Sequence, residues 1–184
     1  RIPAALNGVV GYRSSCRRYS RDGVFPLAHT LDSLGPLTRS VRDALAIDDL
    51  LNGRDQRQPR QARSLNGQRF WVEQSVLQDA RVEPAVRDNL QRCVDQLKAA
   101  GALIDVRPSK TFQATLDLIQ HQGWLGSFEA FALHESLLDS PDAEQLDPRV
   151  RRRLEAARTL PASQLLALYD ARRRLQQQLV DELD

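Results

Sequence analysis

The segment RIPAALNGVVGY, residues 1–12, decides how the rest of the chain is read. Its second half, continued as GVVGYRS (residues 8–14), sets two valines between glycines, the pattern of a short buried strand bounded by turns. Its first residue is Arg1, and no methionine occurs among the 184 residues. The expectation is an internal stretch of a longer polypeptide. Downstream, DGVFPLAHTLDSLGPL (residues 22–37) carries two prolines before its end, each without a backbone donor, and reads as an irregular, partly buried loop. Within it Asp32 stands among Leu31, Leu34 and Pro36. A carboxylate in apolar surroundings needs a hydrogen bond or a cation. The nearest basic residues in sequence are Arg1, Arg13, Arg17 and Arg18.

The texture changes at Ser40. SVRD (residues 40–43) has capping-box form and predicts a helix running to about Leu51, stopped by Asn52–Gly53. RDQRQPRQARS (residues 54–64) is polar and aperiodic, a solvated connection. QRFWVEQ (68–74) and ALIDV (102–106) read as strands. Between them a helix opens at Pro84 and closes at Gly101, with Val86, Leu90, Cys93, Val94 and Leu97 on one face. Strand, helix and strand over so short a distance suggest a βαβ unit with both strands in one sheet. The remainder is helical: Thr111 to Leu138 with a break at Gly123 or Gly126, a helix from Asp147–Pro148, and a last one from Pro161 with Leu165, Leu168, Leu175 and Leu179 facing inward. The final VDELD stops in mid-helix. The fold class expected is α/β, a mixed sheet flanked by helices, as a single domain over 1–184 with parts at 1–53 and 66–184.

An apolar share of 41% and a charged share of 27% are ordinary for a soluble globular chain. The net charge of +2 does not by itself imply nucleic acid. Of 26 basic residues, all but Lys98 and Lys110 are arginine. No apolar run reaches the roughly 18 residues of a membrane span, and no signal segment leads the chain. Cys16 and Cys93 have no metal or redox spacing and read as reduced thiols in a cytoplasmic protein.

Candidate chemical groups are few. His29, His121 and His134 lack metal-ligand spacing, so no metal or other cofactor is expected. His29 reads as a loop histidine bonded to backbone. Glu129 and His134, five apart, read as ordinary helix polar groups. Ser14 and Ser15 read as turn serines, because no nucleophile elbow surrounds them. The arginine clusters at 149–155 and 171–178 could face phosphate, but the acids beside them favour solvated faces with intrahelical pairs.

Taken together, RIPAALNGVVGY, YSRDGVFPL (19–27) and HTLDSLGPLTRSVRDA (29–44) resemble the amidase signature family in order and spacing. The resemblance implies a serine hydrolase of carbon–nitrogen amide bonds, acting on a small-molecule amide without cofactor. It places the nucleophile two residues ahead of Arg1, with a second serine, a lysine base and the oxyanion loop further upstream. No catalytic residue then falls in this chain, which alone is expected to be inactive. Two residues span at most about 7 Å, so Arg1 would border the active site. Arg1 and Asp32 are the expected active-site supports, with Arg1 the first choice for the basic group that Asp32 holds. On the same resemblance, residues 120–131 help line the acyl pocket, and Trp124, Phe128 and Phe131 become its candidate walls, with core packing as the plainer reading. Such walls favour aryl or medium aliphatic amides. Arg17 stands where the family commonly has glycine, and Thr30 where it has serine. Arg1–Ile2–Pro3 favours a stand-alone amidase over the amidase-like component of the tRNA-dependent amidotransferase. The alternatives are a non-catalytic amidase-like scaffold or subunit, and an arginine-rich nucleic-acid binder. Neither a membrane nor a nucleic-acid partner is expected, and a homodimer is left open.

Overall fold

A computed structural model describes residues 2–54 and 60–183. Along the chain run α1 (Ile2–Leu6), β1 (Val10–Gly11), β2 (Leu37–Thr38), α2 (Val41–Leu51), β3 (Arg69–Glu73), α3 (Gln74–Gln78), α4 (Pro84–Ala99), β4 (Leu103–Arg107), α5 (Lys110–Gln122), α6 (Leu125–Leu138), a 3-10 turn (Pro141–Gln145), α7 (Pro148–Glu155) and α8 (Ala162–Leu183). The chain divides into two compact units, residues 1–60 with 123–167 and residues 61–122 with 168–184.

In the first unit β1 and β2 pair antiparallel, Val10 opposite Thr38 and Gly11 opposite Leu37. The strand expected over 8–14 shortens to two residues, because Pro36, next in register opposite Tyr12, has no N–H to return a bond. Tyr12 N donates to Pro36 O at 3.1 Å, and Ser14 Oγ donates to Leu34 O at 2.7 Å. IPAAL, which carries no long period, forms the short helix α1. Ser40 caps α2 as its sequence predicts, Oγ accepting from Asp43 N at 3.1 Å, and Gly53 leaves the helix at φ 65°. The break between α5 and α6 falls at Gly123, at φ 86°. Asp147 caps α7 by accepting from Arg149 N at 2.8 Å. Leu154 of α7 joins Ala130 and Leu138 of α6 in a buried cluster, flanked by Phe131 and Leu146. Each leucine fully removed from water there contributes about 2 kcal/mol.

In the second unit β3 and β4 are parallel and in register from Arg69–Leu103 to Glu73–Arg107, joined through α4, as the strand–helix–strand reading expects. The apolar stripe of α4 is only partly covered. Val94 is buried, Leu90 and Leu97 are half-buried, Cys93 is exposed and Val86 is 60% exposed. In α8, Leu168 is buried, Leu165 and Leu175 are half-buried, and Leu179 is exposed. The start of α5 is held by two carboxylates. Ser109 N donates to Glu73 at 2.7 Å, while Ser109 Oγ and the Thr111 amide and hydroxyl donate to Glu182 at 2.6, 3.0 and 2.9 Å. Negative charge at a helix N-terminus is favourable, and the Ser109 bond leads in holding the Glu182 carboxyl below its usual range.

Arg17 adopts φ 68°, alone among the described non-glycine residues in taking a positive φ. A side chain there costs about 1–2 kcal/mol, and glycine gives back about 0.5–1 kcal/mol as lost chain entropy. Arg17→Gly is therefore expected to raise the unfolding midpoint of the protein modestly. A lowered midpoint in thermal or urea unfolding would contradict this.

Candidate functional site

The loop between β1 and β2 is irregular in path but closely held. Leu31 N and Asp32 N both donate to Ala28 O, at 3.1 and 2.8 Å, winding one tight turn. That turn returns the Asp32 carboxylate toward the preceding residues, where Oδ2 accepts from Leu27 N and Ala28 N, both at 3.0 Å. Arg21 Nη1 donates to His29 O at 2.8 Å. Two side chains of α6 grip the same loop. Glu129 accepts from Thr30 N at 2.8 Å and from Thr30 Oγ1 at 2.6 Å. His134 Nε2 lies 3.0 Å from Pro26 O. A carbonyl only accepts, so Nε2 carries the proton and donates. Phe25 stacks on the His134 ring, centroids 5.1 Å apart and planes 11° from parallel. Beside this loop lies an open cavity of about 370 Å³, lined by Arg21, Phe25, Pro26, His29 and Asp32 among others.

A second polar cluster ties the start of the loop to α2. Asp48 is 3% exposed. Arg18 forks onto it, Nε to Oδ1 and Nη2 to Oδ2, each at 2.6 Å. Tyr19 Oη and Arg60 Nη2 also donate to Asp48, Arg60 Nε donates to Asp49 at 3.0 Å, and Asn52 Nδ2 donates to Asp48 O at 2.7 Å. The Arg18 guanidinium holds the Asp48 carboxyl far below its ordinary range against the opposing effect of burial. The Arg18 pKa rises in return, and burial, followed by the bond to Asp48, raises that of the Tyr19 phenol.

The residues singled out from sequence are distributed unevenly. Arg1 lies outside the described residues. Asp32 lines the cavity, but its bonds go to backbone amides, and it pairs with no basic side chain among the described residues. The turn brings two N–H groups onto one carboxylate oxygen. Trp124, Phe128 and Phe131 share a helical spacing but not an environment. Trp124 sits at the N-cap of α6, 47% exposed, with its ring over Gly126. Phe128 is buried, and Phe131 is half-buried against the Ala130–Leu138–Leu154 cluster, with the Arg158 guanidinium 5.1 Å from its ring centre. None of the three lines the cavity beside the loop. The His29 ring makes no hydrogen bond among the described residues, whereas His134 and His121 each bond a backbone carbonyl, of Pro26 and of Asp117.

Glu129 and His134 are the residues whose role sequence reasoning missed. The signal was present: FEAFALH buries an acid between Phe128 and Ala130, the same anomaly that marks Asp32. Ser14 is a buried structural serine. Arg149, Arg151 and Arg173 pair with Asp147, Glu155 and Asp170 at 2.8–3.1 Å, as the reading of locally paired, solvated faces expects, and Arg158, outside both clusters, pairs with Asp139 across 19 residues at 2.8 Å. Cys16 and Cys93 are free and exposed. Among the described residues no helix is long and apolar enough to cross a membrane, and no cluster of His, Cys, Asp and Glu is arranged to hold a metal.

A family model described as Amidase matches residues 1–184. The chain is 28% identical over 167 residues to a 2-amino-5-chloromuconic acid deaminase of Comamonas testosteroni, covering 90% of this chain and 36% of that protein. It is 36% identical over 97 residues to an indoleacetamide hydrolase of Allorhizobium ampelinum, covering 53% and 20%. It is 34% identical over 113 residues to a glutamyl-tRNA(Gln) amidotransferase subunit of Campylobacter fetus, covering 55% and 24%. The chain thus spans well under half the length of these relatives. A crystal structure of an amidase superposes with a TM-score of 0.78 at 31% identity, covering 98% of this chain and 39% of that one. Matched along its whole length by the family model, and sharing its fold with an amidase of known structure, the chain belongs to the amidase family.

Proposed function

We propose that the whole protein hydrolyses the carbon–nitrogen bond of a small-molecule amide, and that this chain forms part of the frame of the site. The observation that carries the reading is the family match over residues 1–184. In the proposed reaction a serine ahead of Arg1 attacks the amide carbonyl, and its proton passes through a base to the leaving nitrogen. The C–N bond breaks to release the amine, and water then cleaves the acyl-serine to the acid. Serine needs such a base because it is a weak nucleophile at its free pKa. Arg1 and Asp32 are assigned support of the nucleophile segment. Trp124, Phe128 and Phe131 stand behind the acyl side, and the substrate class is aryl or medium aliphatic amides in a cytoplasmic enzyme.

Asp32 gives the test. Its two bonds to backbone amides use one oxygen, and an asparagine Oδ1 can accept both. Asp32→Asn therefore removes the charge and keeps the turn. In the full-length protein we expect kcat for ammonia release from an aryl amide to fall about tenfold or more, while the unfolding midpoint moves by less than about 2 °C. Full turnover in the Asn variant would overturn the support role of Asp32.

A further inference from the structure

We propose that Glu129 is a positioning residue for substrate choice, acting through the Pro26–Thr30 segment; the proposal rests on the amide-hydrolase reading above. The backbone of every residue in that segment is held by a side chain. Pro26 O accepts from His134, Leu27 N and Ala28 N donate to Asp32, His29 O accepts from Arg21, and Thr30 N donates to Glu129. The side chains of Phe25, Leu27 and His29 nevertheless remain exposed, Phe25 at 79%. A fixed backbone that displays free side chains is a preorganised recognition surface, because little ordering remains to be done when a ligand arrives. Phe25 and His29 line the cavity of about 370 Å³, a volume within the range of about 300–1,000 Å³ typical of small-molecule sites. Phe25, braced by the His134 ring, offers an aromatic face for stacking. An aryl-bearing amide gains from that face, whereas acetamide has no ring to place there.

Glu129 is more than filler. A carboxylate that is 8% exposed between Phe128 and Ala130 carries a desolvation cost that an apolar side chain of similar size would avoid. What the carboxylate adds is direction. Its two oxygens take the N–H and the O–H of one residue, Thr30, and so fix both the position and the rotation of that peptide. With Thr30 fixed at one end and Pro26 at the other, His29 within the segment and Phe25 immediately before it are presented at a set distance. Replacement of Glu129 releases one end and lets the aromatic wall drift.

The experiment uses the full-length protein with phenylacetamide and acetamide as probes, reading kcat and KM separately. Phe25→Ala alters an exposed side chain, so the fold should be retained. It is expected to raise KM for phenylacetamide about tenfold and to lower the phenylacetamide-to-acetamide ratio of kcat/KM by about as much. Glu129→Ala is expected to erase the same aryl preference, and Thr30→Val, which removes only the hydroxyl bond, to reduce it by about threefold. A merely structural Glu129 would lower both substrates' kcat/KM alike. An unchanged phenylacetamide-to-acetamide ratio in Phe25→Ala and Glu129→Ala overturns the proposal. If the wild-type protein hydrolyses neither amide, the hydrolase reading fails, and titration with phenylacetate still judges the loop. An affinity weakened about tenfold in both variants supports the positioning role, and equal affinities in all three proteins overturn it.

Discussion

A Gly35→Ala variant of the protein is expected to lose about 3 kcal/mol or more of stability. The added Cβ would stand 1.8 Å from Tyr12 O and 2.9 Å from Tyr12 C, both backbone atoms that no rotamer change can move aside. Relief requires parting the segment where Tyr12 N donates to Pro36 O and the buried Ser14 hydroxyl donates to Leu34 O. Those bonds close the loop that carries Asp32, so the same change should loosen the cavity wall. Gly23 is the internal comparison: it has φ 74° but nothing within 4 Å of an added Cβ. Gly23→Ala should therefore cost only about 1 kcal/mol. Urea unfolding of the two variants checks the contrast, and equal losses would contradict the backbone clash.

Asp48→Ala is expected to cost about 3–5 kcal/mol, the range for breaking a buried charge cluster by removing one partner. Arg18 and Arg60 would lose a shared counter-charge, and the buried Tyr19 hydroxyl would lose its acceptor. Acid should reproduce the loss gradually. The Asp48 carboxyl is depressed in the folded state relative to its ordinary value of 3.8. Its contribution is then present in full above about pH 4 and fades as pH falls through the folded-state value. Asp48→Asn, which cannot titrate, should show lower stability at neutral pH and a flatter dependence on pH below about 4. Parallel acid limbs for the variant and the wild type would show that Asp48 is not the group responsible.

Local signals carried the parts of the fold that depend on neighbours in sequence. Ser40 three residues before Asp43, Pro84 with Gly101, and Asp147 with Pro148 each mark a helix end by chemistry contained within one turn. β3 and β4 were legible because the helix between them brings two apolar runs side by side. The site was less legible because its contacts are long-range. Glu129 meets Thr30 across 99 residues, His134 meets Pro26 across 108, and Arg18 meets Asp48 across 30. Helical spacing placed Trp124, Phe128 and Phe131 on one face but could not say what covers that face. Asp32 shows the intermediate case. Its apolar setting demanded a partner, and among the described residues the turn at Ala28 supplies two amides, a pairing that depends on the path of the loop.

The most direct test of a serine nucleophile ahead of Arg1 is to treat the full-length protein with a fluorophosphonate and map the adduct by mass spectrometry. The amidase reading predicts one adduct, on a serine just before Arg1, forming as amide hydrolysis is lost. An adduct on Ser14, Ser15 or any other serine of residues 1–184, or amide hydrolysis that persists with no serine labelled, would contradict it.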